Sequence, residues 1–221
     1  MDQTHDTPPP PLRITPELLE YAYRQGIFPM GDPETGEINW YQPEPRTILD
    51  LETFHVPRRL AKTLRSGRFQ FSINQAFREV MTHCSRTHED PEQVWITPEI
   101  IEIYCEMHEQ GKAHSVEAWC GGQLAGGLYG IALGGAFMGE SMFHTVRDAS
   151  KASLAFLVHH LRAQGFTLLD TQFPTDHLAQ FGIQMIPHKE YLRRLRSALE
   201  RTWVQFVPDE TIPLANAPVS E

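Results

Sequence analysis

The chain has 221 residues, 41% of them hydrophobic and 21% charged, with 19 Lys and Arg against 28 Asp and Glu and a formal charge of −9. That is too apolar for a disordered chain and long enough for a sizeable core in one large or two unequal domains. The acidic balance argues against a general nucleic-acid coat protein, which needs cations to neutralise phosphates.

No apolar run approaches the ~20 residues that span a bilayer, and no membrane association is expected. The opening MDQTHDTPPPPLR lacks a basic-then-apolar signal pattern and reads as a disordered tail over 1–13. From residue 14, Thr15-Pro16-Glu17 opens a helix: Thr15 caps, Pro16 suits the first helical position, and Leu18, Leu19, Ala22 and Tyr23 form its apolar face. Gly26 stops it. Residues 27–46 are rich in Pro, Gly and aromatics. A polar linker would not carry Phe28, Trp40 and Tyr41, so 14–50 is read as a packed, irregular small N-terminal domain. A strand-like stretch, 46–51, follows the irregular part and crosses the expected boundary.

The larger domain is expected over 51–205. Residues 56–70 carry Arg58, Arg59, Lys62, Arg65 and Arg68 with no acidic residue. If helical from Pro57, Arg58, Lys62 and Arg65 lie at i, i+4 and i+7 and make one positive stripe. Such a stripe is either a solvated helix face or a phosphate-backbone contact. Asn74 is placed as the cap of a helix through about His83, and Thr97-Pro98-Glu99 opens another through about Gln110. The period then changes to two. Residues 114–120, 123–133 and 136–143 read as three strands joined by Gly121-Gly122 and Gly134-Gly135, an antiparallel meander. A helix over 149–164, a strand over 166–173, a short helix over 176–181 and an amphipathic helix over 189–202 follow. Residues 206–221 are expected to be a loose tail. The order predicts an α+β protein, a mostly antiparallel sheet flanked by helices, compatible with a GNAT-type acyltransferase fold.

Two stretches could carry chemistry. In a strand at LLDTQF, Asp170 and Gln172 share a side with Leu168; they either orient an amine nucleophile or mark a strand end turning polar at solvent. In FMGESMF, Glu140 lies between methionines. Strict alternation puts Met138, Glu140 and Met142 on one face and Phe137, Ser141 and Phe143 on the other. A carboxylate there is either part of a pocket for an apolar group beside an amine, or a salt-bridged edge-strand residue. The eleven histidines, His159-His160 included, show no metal-ligand spacing. Cys84, Cys105 and Cys120 are too far apart for a zinc site or a disulfide framework. No Walker loop, GxGxxG or GxSxG is present. No metal and no cofactor are expected, and a reduced, cytoplasmic protein is the plain inference.

YRQGIFPM (23–30), WYQPEPR (40–46), VWIT (94–97), GKAHSVEAW (111–119), GGLYG (126–130), GESMF (139–143), ASKASL (149–154), LLDTQF (168–173) and TDHLAQFG (175–182) together resemble the leucyl/phenylalanyl-tRNA–protein transferase family, over about residues 14–199. The resemblance implies a small N-terminal domain plus a GNAT-like domain. It implies transfer of Leu, Phe or less readily Met from Leu-tRNA or Phe-tRNA to proteins with N-terminal Arg or Lys, marking them for N-degron degradation. By the same resemblance Asp170 and Gln172 stand at the reaction centre. Leu128, Phe137 and Met142, with Glu140 and Ser141 beside them, form the donor pocket. Trp95 stands near the terminal adenosine, and Arg58, Arg59, Lys62 and Arg65 contact the acceptor stem. Met30 stands where family members often carry Trp, and Thr175 where some carry Asn. The alternatives are a CoA-dependent acetyltransferase, disfavoured because residues 144–153 hold no glycine for a pyrophosphate loop, and a non-catalytic tRNA or N-degron binding module. No large apolar stripe is left over, so a monomer is expected. The charge now divides: +5 sits on 56–70 and −14 on the rest, which suits one defined RNA stem better than indiscriminate binding.

Overall fold

A computed structural model describes residues 14–86 and 95–208. The first helix, α1 (Pro16–Arg24), starts as expected, with the Thr15 hydroxyl accepting from Leu18 N–H. A hairpin, β1 (Phe28–Gly31) with β2 (Ile38–Tyr41), then forms a separate two-stranded sheet. Phe28 is buried, while Trp40 and Tyr41 stay about two-fifths exposed. The next strand, β3 (Arg46–Leu49), leaves this small unit. It is inserted between two strands of the main sheet, so the stretch read as the end of the N-terminal domain is structurally part of the larger one.

The elements that follow are α2 (Arg58–Arg65), β4 (Gln70–Ile73), α3 (Phe77–Cys84), α4 (Pro98–Glu109), β5 (Ala113–Cys120), β6 (Gln123–Leu133), β7 (Ala136–His144), α5 (Ala149–Gln164), β8 (Leu168–Gln172), α6 (Asp176–Ala179), β9 (Ile183–Ile186) and α7 (His188–Leu199). The seven-stranded sheet has the order β4-β5-β6-β7-β8-β3-β9. Every neighbouring pair is antiparallel except β7 and β8, which are joined through α5 and run parallel. The meander, crossover helix and parallel strand give the α+β arrangement that the order of elements predicts. Gly121 and Gly122 both have positive φ, 59° and 76°, which a tight two-residue hairpin turn requires.

One face of the sheet is covered by α1, α3, α4 and α7, and the other by α2, α5 and α6. The inner strands β5, β6, β7, β8 and β3 therefore bury both faces over much of their length, the edge strands β4 and β9 do not, and the core divides into two clusters separated by the sheet. Asn74 does not cap α3. It takes a left-handed φ of 62°, accepts from Ser115 N–H through Oδ1, and bonds His114 through its amide nitrogen. The first free amide of α3 is met instead by the wholly buried Glu117 of β5, whose Oε1 accepts from Ala76 N–H. A long-range carboxylate has taken the place of a local cap. The chain end is not loose at its start: Phe206 is buried against His114, Phe137, His160 and Phe166.

Candidate active site

The parallel strands β7 and β8 are paired over only three residues, ending at Met138 opposite Asp170. Beyond that point two local irregularities turn them apart. On β7, Gly130 of β6 pairs with Gly139 while Tyr129 pairs with Ser141, which leaves Glu140 as an extra, bulged residue. Gly130 is needed there, because a side-chain carbon would sit 2.3 Å from Met138 O. On β8, Gln172 takes a left-handed φ of 64°, uncommon for a residue with a side chain and held by its surroundings. The gap between the parted strands is a pocket of about 740 Å³.

Its walls are mostly apolar. Leu128 and Met142 pair across β6 and β7, and Leu154 and Leu157 of α5, Leu169 and Leu178 add to them. Met30 and Trp95 form another part of the lining, with Gly31 N–H donating to Trp95 O to hold the hairpin against it. Where the strands part, the polar groups are Glu140, Ser141 and Gln172; Arg86, His83, His144 and His177, with Tyr129 and the hydroxyls of Thr145, Ser150, Thr171 and Thr175, line the rest. A largely apolar cleft with a few convergent polar groups at a strand splay is a common place for a ligand to bind.

The bulge corrects the face assignment. Phe143 packs with Met138 on one side of the sheet, and Met142 packs on the side of Phe137. The period of two breaks at Glu140. Phe137 itself is not in the pocket: it lies in the paired section of β7, opposite Leu169, wholly buried against Phe206. Leu128, Met142, Ser141, Glu140 and Trp95 are brought together around the pocket, and Phe137 supports it from beneath.

Asp170 and Gln172 are neighbours with different roles. Asp170 is wholly buried and does not line the pocket. Its carboxylate accepts from Arg46 Nε at 2.9 Å and Nη2 at 2.6 Å, from the Tyr191 hydroxyl at 2.7 Å and from Gln172 N–H at 2.9 Å. The last bond closes a tight side-chain-to-backbone turn that sets Gln172 in its left-handed conformation. Arg46 is itself fully buried, donates to Gly26 O, and lies over the rings of Phe28 and Tyr191 at 4.8 and 4.5 Å. Burial opposes its charge, but Asp170 more than offsets this and holds its pKa above the ordinary arginine value.

Gln172 points its amide into the pocket and donates from Nε2 to Glu140 Oε1 at 2.8 Å. Glu140 also accepts from the Tyr23 hydroxyl at 2.6 Å and the Tyr104 hydroxyl at 3.3 Å. Desolvation pushes the Glu140 carboxyl up to about 8, against the pull of Tyr23, Arg46 and Tyr104. Tyr23, Tyr104, Arg46 and Tyr191 were not singled out as site residues by sequence reasoning. Arg46 and Tyr23 lie inside the motifs that carry the family resemblance, but no spacing rule joins Arg46 to a carboxylate 124 positions away.

Comparison with known proteins decides the family. The family model described as leucyl/phenylalanyl-tRNA protein transferase matches residues 48–196, and the one for its N-terminal domain matches 13–44. The chain belongs to the leucyl/phenylalanyl-tRNA–protein transferase family. The transferase from Salinibacter ruber is 47% identical over 94% of this chain and 91% of its own, and that from Akkermansia muciniphila 52% over 85% and 97%. The Herpetosiphon aurantiacus transferase is 52% identical over 85% and 96%. Among solved structures, the C-terminal domain of a putative lysylphosphatidylglycerol synthetase from Agrobacterium fabrum aligns over 88% of this chain and 60% of that one. Its TM-score is 0.39 at 11% identity, too weak a likeness to argue from. As a member of this family the protein is an aminoacyltransferase. The two family models meet within 45–47, where the transferase chain leaves β2 and enters the main sheet as β3.

In this transferase the basic stripe is a helix. Arg58, Arg59, Lys62 and Arg65 are exposed on α2, while Leu60 and Leu64 bury its other side. The helix packs on α5, which lines the pocket through Leu154 and Leu157. Among the described residues no helix is long and apolar enough to cross a membrane.

Proposed function

We propose that this enzyme transfers Leu or Phe, and less readily Met, from the 3′ end of Leu-tRNA or Phe-tRNA to the α-amine of proteins bearing N-terminal Arg or Lys. The product is read by the N-degron pathway, and the enzyme works as a monomer in the cytoplasm. One observation carries this reading: an apolar pocket with the Gln172–Glu140 pair in its wall, at the place where β7 and β8 part. The aliphatic lining receives the donor side chain. It discriminates weakly among similar apolar groups, since a methylene is worth only ~1–3 kcal/mol. Trp95 borders the terminal adenosine, and α2 receives the acceptor stem.

An aminoacyl ester is already activated, so the protein needs to bring the amine to the carbonyl and help it lose a proton. Positioning of this kind can supply up to ~7–11 kcal/mol. Asp170 is a positioning residue, locked by Arg46 and Tyr191, and Gln172 is the group that touches substrate. With Nε2 committed to Glu140, the Oε1 of Gln172 accepts from the incoming amine.

Incubating labelled Phe-tRNA with an Arg- or Lys-ended peptide tests the reading: labelled peptide is expected, and binding without product would mean a non-catalytic module. Gln172→Ala is expected to slow transfer by about 10²-fold, the usual scale for one lost polar contact at a reacting centre. Asp170→Asn should act on the same step by loosening the turn that places Gln172. If both variants kept wild-type rates, the assignment would be wrong.

Reversing two charges on the stripe, Arg58→Glu with Lys62→Glu, is expected to raise the KM for aminoacyl-tRNA roughly tenfold or more and to flatten its salt dependence. The KM for the peptide should change little, because the acidic body of the enzyme is what draws in a cationic N-terminus. Equal effects on both KM values would count against this division.

A further inference from the structure

Glu140 is the extra residue of a bulge, and its carboxylate is held from two sides. From behind, α1 and α4 bring Tyr23 and Tyr104, whose hydroxyls bond the carboxylate and each other. From the pocket side, Gln172 donates to the same oxygen that Tyr23 holds. The second oxygen, Oε2, has the longer bond to Tyr104, 3.3 Å. We infer that Glu140 is the proton acceptor of the transfer reaction and that Tyr23 and Tyr104 are positioning residues that hold its carboxylate toward the amine. The inference rests on the transferase reading above and assigns a role that reading leaves open.

Two observations on the site favour Glu140 over its neighbour. The oxygens of Asp170 already receive Arg46, Tyr191 and the backbone of Gln172, and Asp170 is sealed from the pocket. Glu140 lines the pocket beside the amide that touches the amine. The groups that face it are Tyr23 from α1, Tyr104 from α4, Tyr129 from β6, Arg46 from β3, and Asp170 and Gln172 from β8. Tyr191 of α7 is spent on Asp170. A carboxyl pushed by burial to about 8 is matched to an α-ammonium group, whose ordinary pKa is also ~8.

In the proposed step the acceptor's α-ammonium gives one proton to Glu140. The neutral nitrogen attacks the ester carbonyl carbon and forms the C–N bond. As the tetrahedral intermediate collapses, the bond from carbon to the ribose oxygen breaks. The excess N–H proton passes to that oxygen, which leaves as a hydroxyl, and Glu140 returns its own proton to solvent before the next turnover.

The test is single-turnover transfer from Phe-tRNA to an Arg-ended peptide across pH 6–10. It compares wild type with Glu140→Gln and Tyr104→Phe, alongside binding of amide-linked phenylalanyl-adenosine, which cannot react. Glu140→Gln is expected to lower the rate by about 10²-fold while the Kd for the analogue stays within about threefold. Tyr104→Phe removes a donor to the ionised carboxylate, so the rising limb of its rate profile should move up by about one pH unit; the titration of the acceptor amine is common to both enzymes and drops out. A Glu140→Gln rate within about threefold of wild type overturns the inference and leaves the transferase reading standing, as does a loss that lies wholly in Kd. An unmoved limb in Tyr104→Phe overturns it as well, including where Glu140→Gln fails to fold. A wild-type enzyme that makes no labelled peptide removes both.

Discussion

Replacing Arg46 by methionine is expected to cost about 3–5 kcal/mol of folding free energy, read as a lower midpoint in urea denaturation at unchanged slope. Methionine keeps much of the apolar contact with Phe28 and Tyr191 but removes the charge. Asp170 then remains buried with only Tyr191 and the Gln172 N–H as donors. Desolvating a carboxylate without its partner is the costly half of a buried pair. Because the same carboxylate sets the left-handed turn at Gln172, transfer should fall with stability, and by more than the unfolded fraction explains. Asp170→Asn added to Arg46→Met should cost less than the sum of the two single changes, since the orphan charge is gone. A single variant within about 1 kcal/mol of wild type would show that the pair contributes no more than a surface ion pair does.

The second large effect is expected at Phe206→Ala. Phe206 lies against His114 at 4.3 Å, His160 at 4.7 Å, Phe137 at 5.4 Å and Phe166 at 6.1 Å between ring centres, and is 7% exposed. Truncating such a ring removes apolar burial and leaves a cavity, about 3 kcal/mol in all. In a chain of this size that corresponds to a fall in Tm of roughly 6–12 °C. Val207→Ala, next in sequence but nearly half exposed, is the control and should stay within about 0.5 kcal/mol. Equal, small effects from both would restore the loose tail that residue order suggests.

Much of the scaffold is legible in the residues. Thr15 and Thr97 cap the helices they precede, each accepting from the amide three residues on. The strand at 123–133 and the helix at 149–164 have the bounds that their patterns give. Capping, period and glycine turns act within a few residues, so a local reading finds them. What the residues do not show is pairing. Strand β9 is four residues long after a glycine and declares itself only beside β3. Asn74 has the chemistry of a cap, yet its side chain is spent on β5, and Glu117 from that strand serves α3 instead.

The candidate site divides in the same way. The family, the α+β order and the positive stripe on α2 are set by residue types and short-range spacing, and sequence alone determined them. Its uneven split of charge, +5 on one short stretch against an acidic remainder, needs no coordinates either. Only the tertiary structure decided that Asp170 faces Arg46 rather than the pocket, that Phe137 lies beneath the pocket and not in it, and that Glu140 meets two tyrosines. The physical reason is a pair of one-residue irregularities, the bulge at Glu140 and the left-handed Gln172. The bulge reverses which side of the sheet the following side chains of β7 take, and the left-handed Gln172 ends β8 and turns its amide to the pocket. The bulge is held by bonds to Glu140 from Gln172, Tyr104 and Tyr23, 32 to 117 positions away, and the turn by Asp170, which Arg46 locks from 124 positions away, and no count of alternating residues along one strand can foresee them.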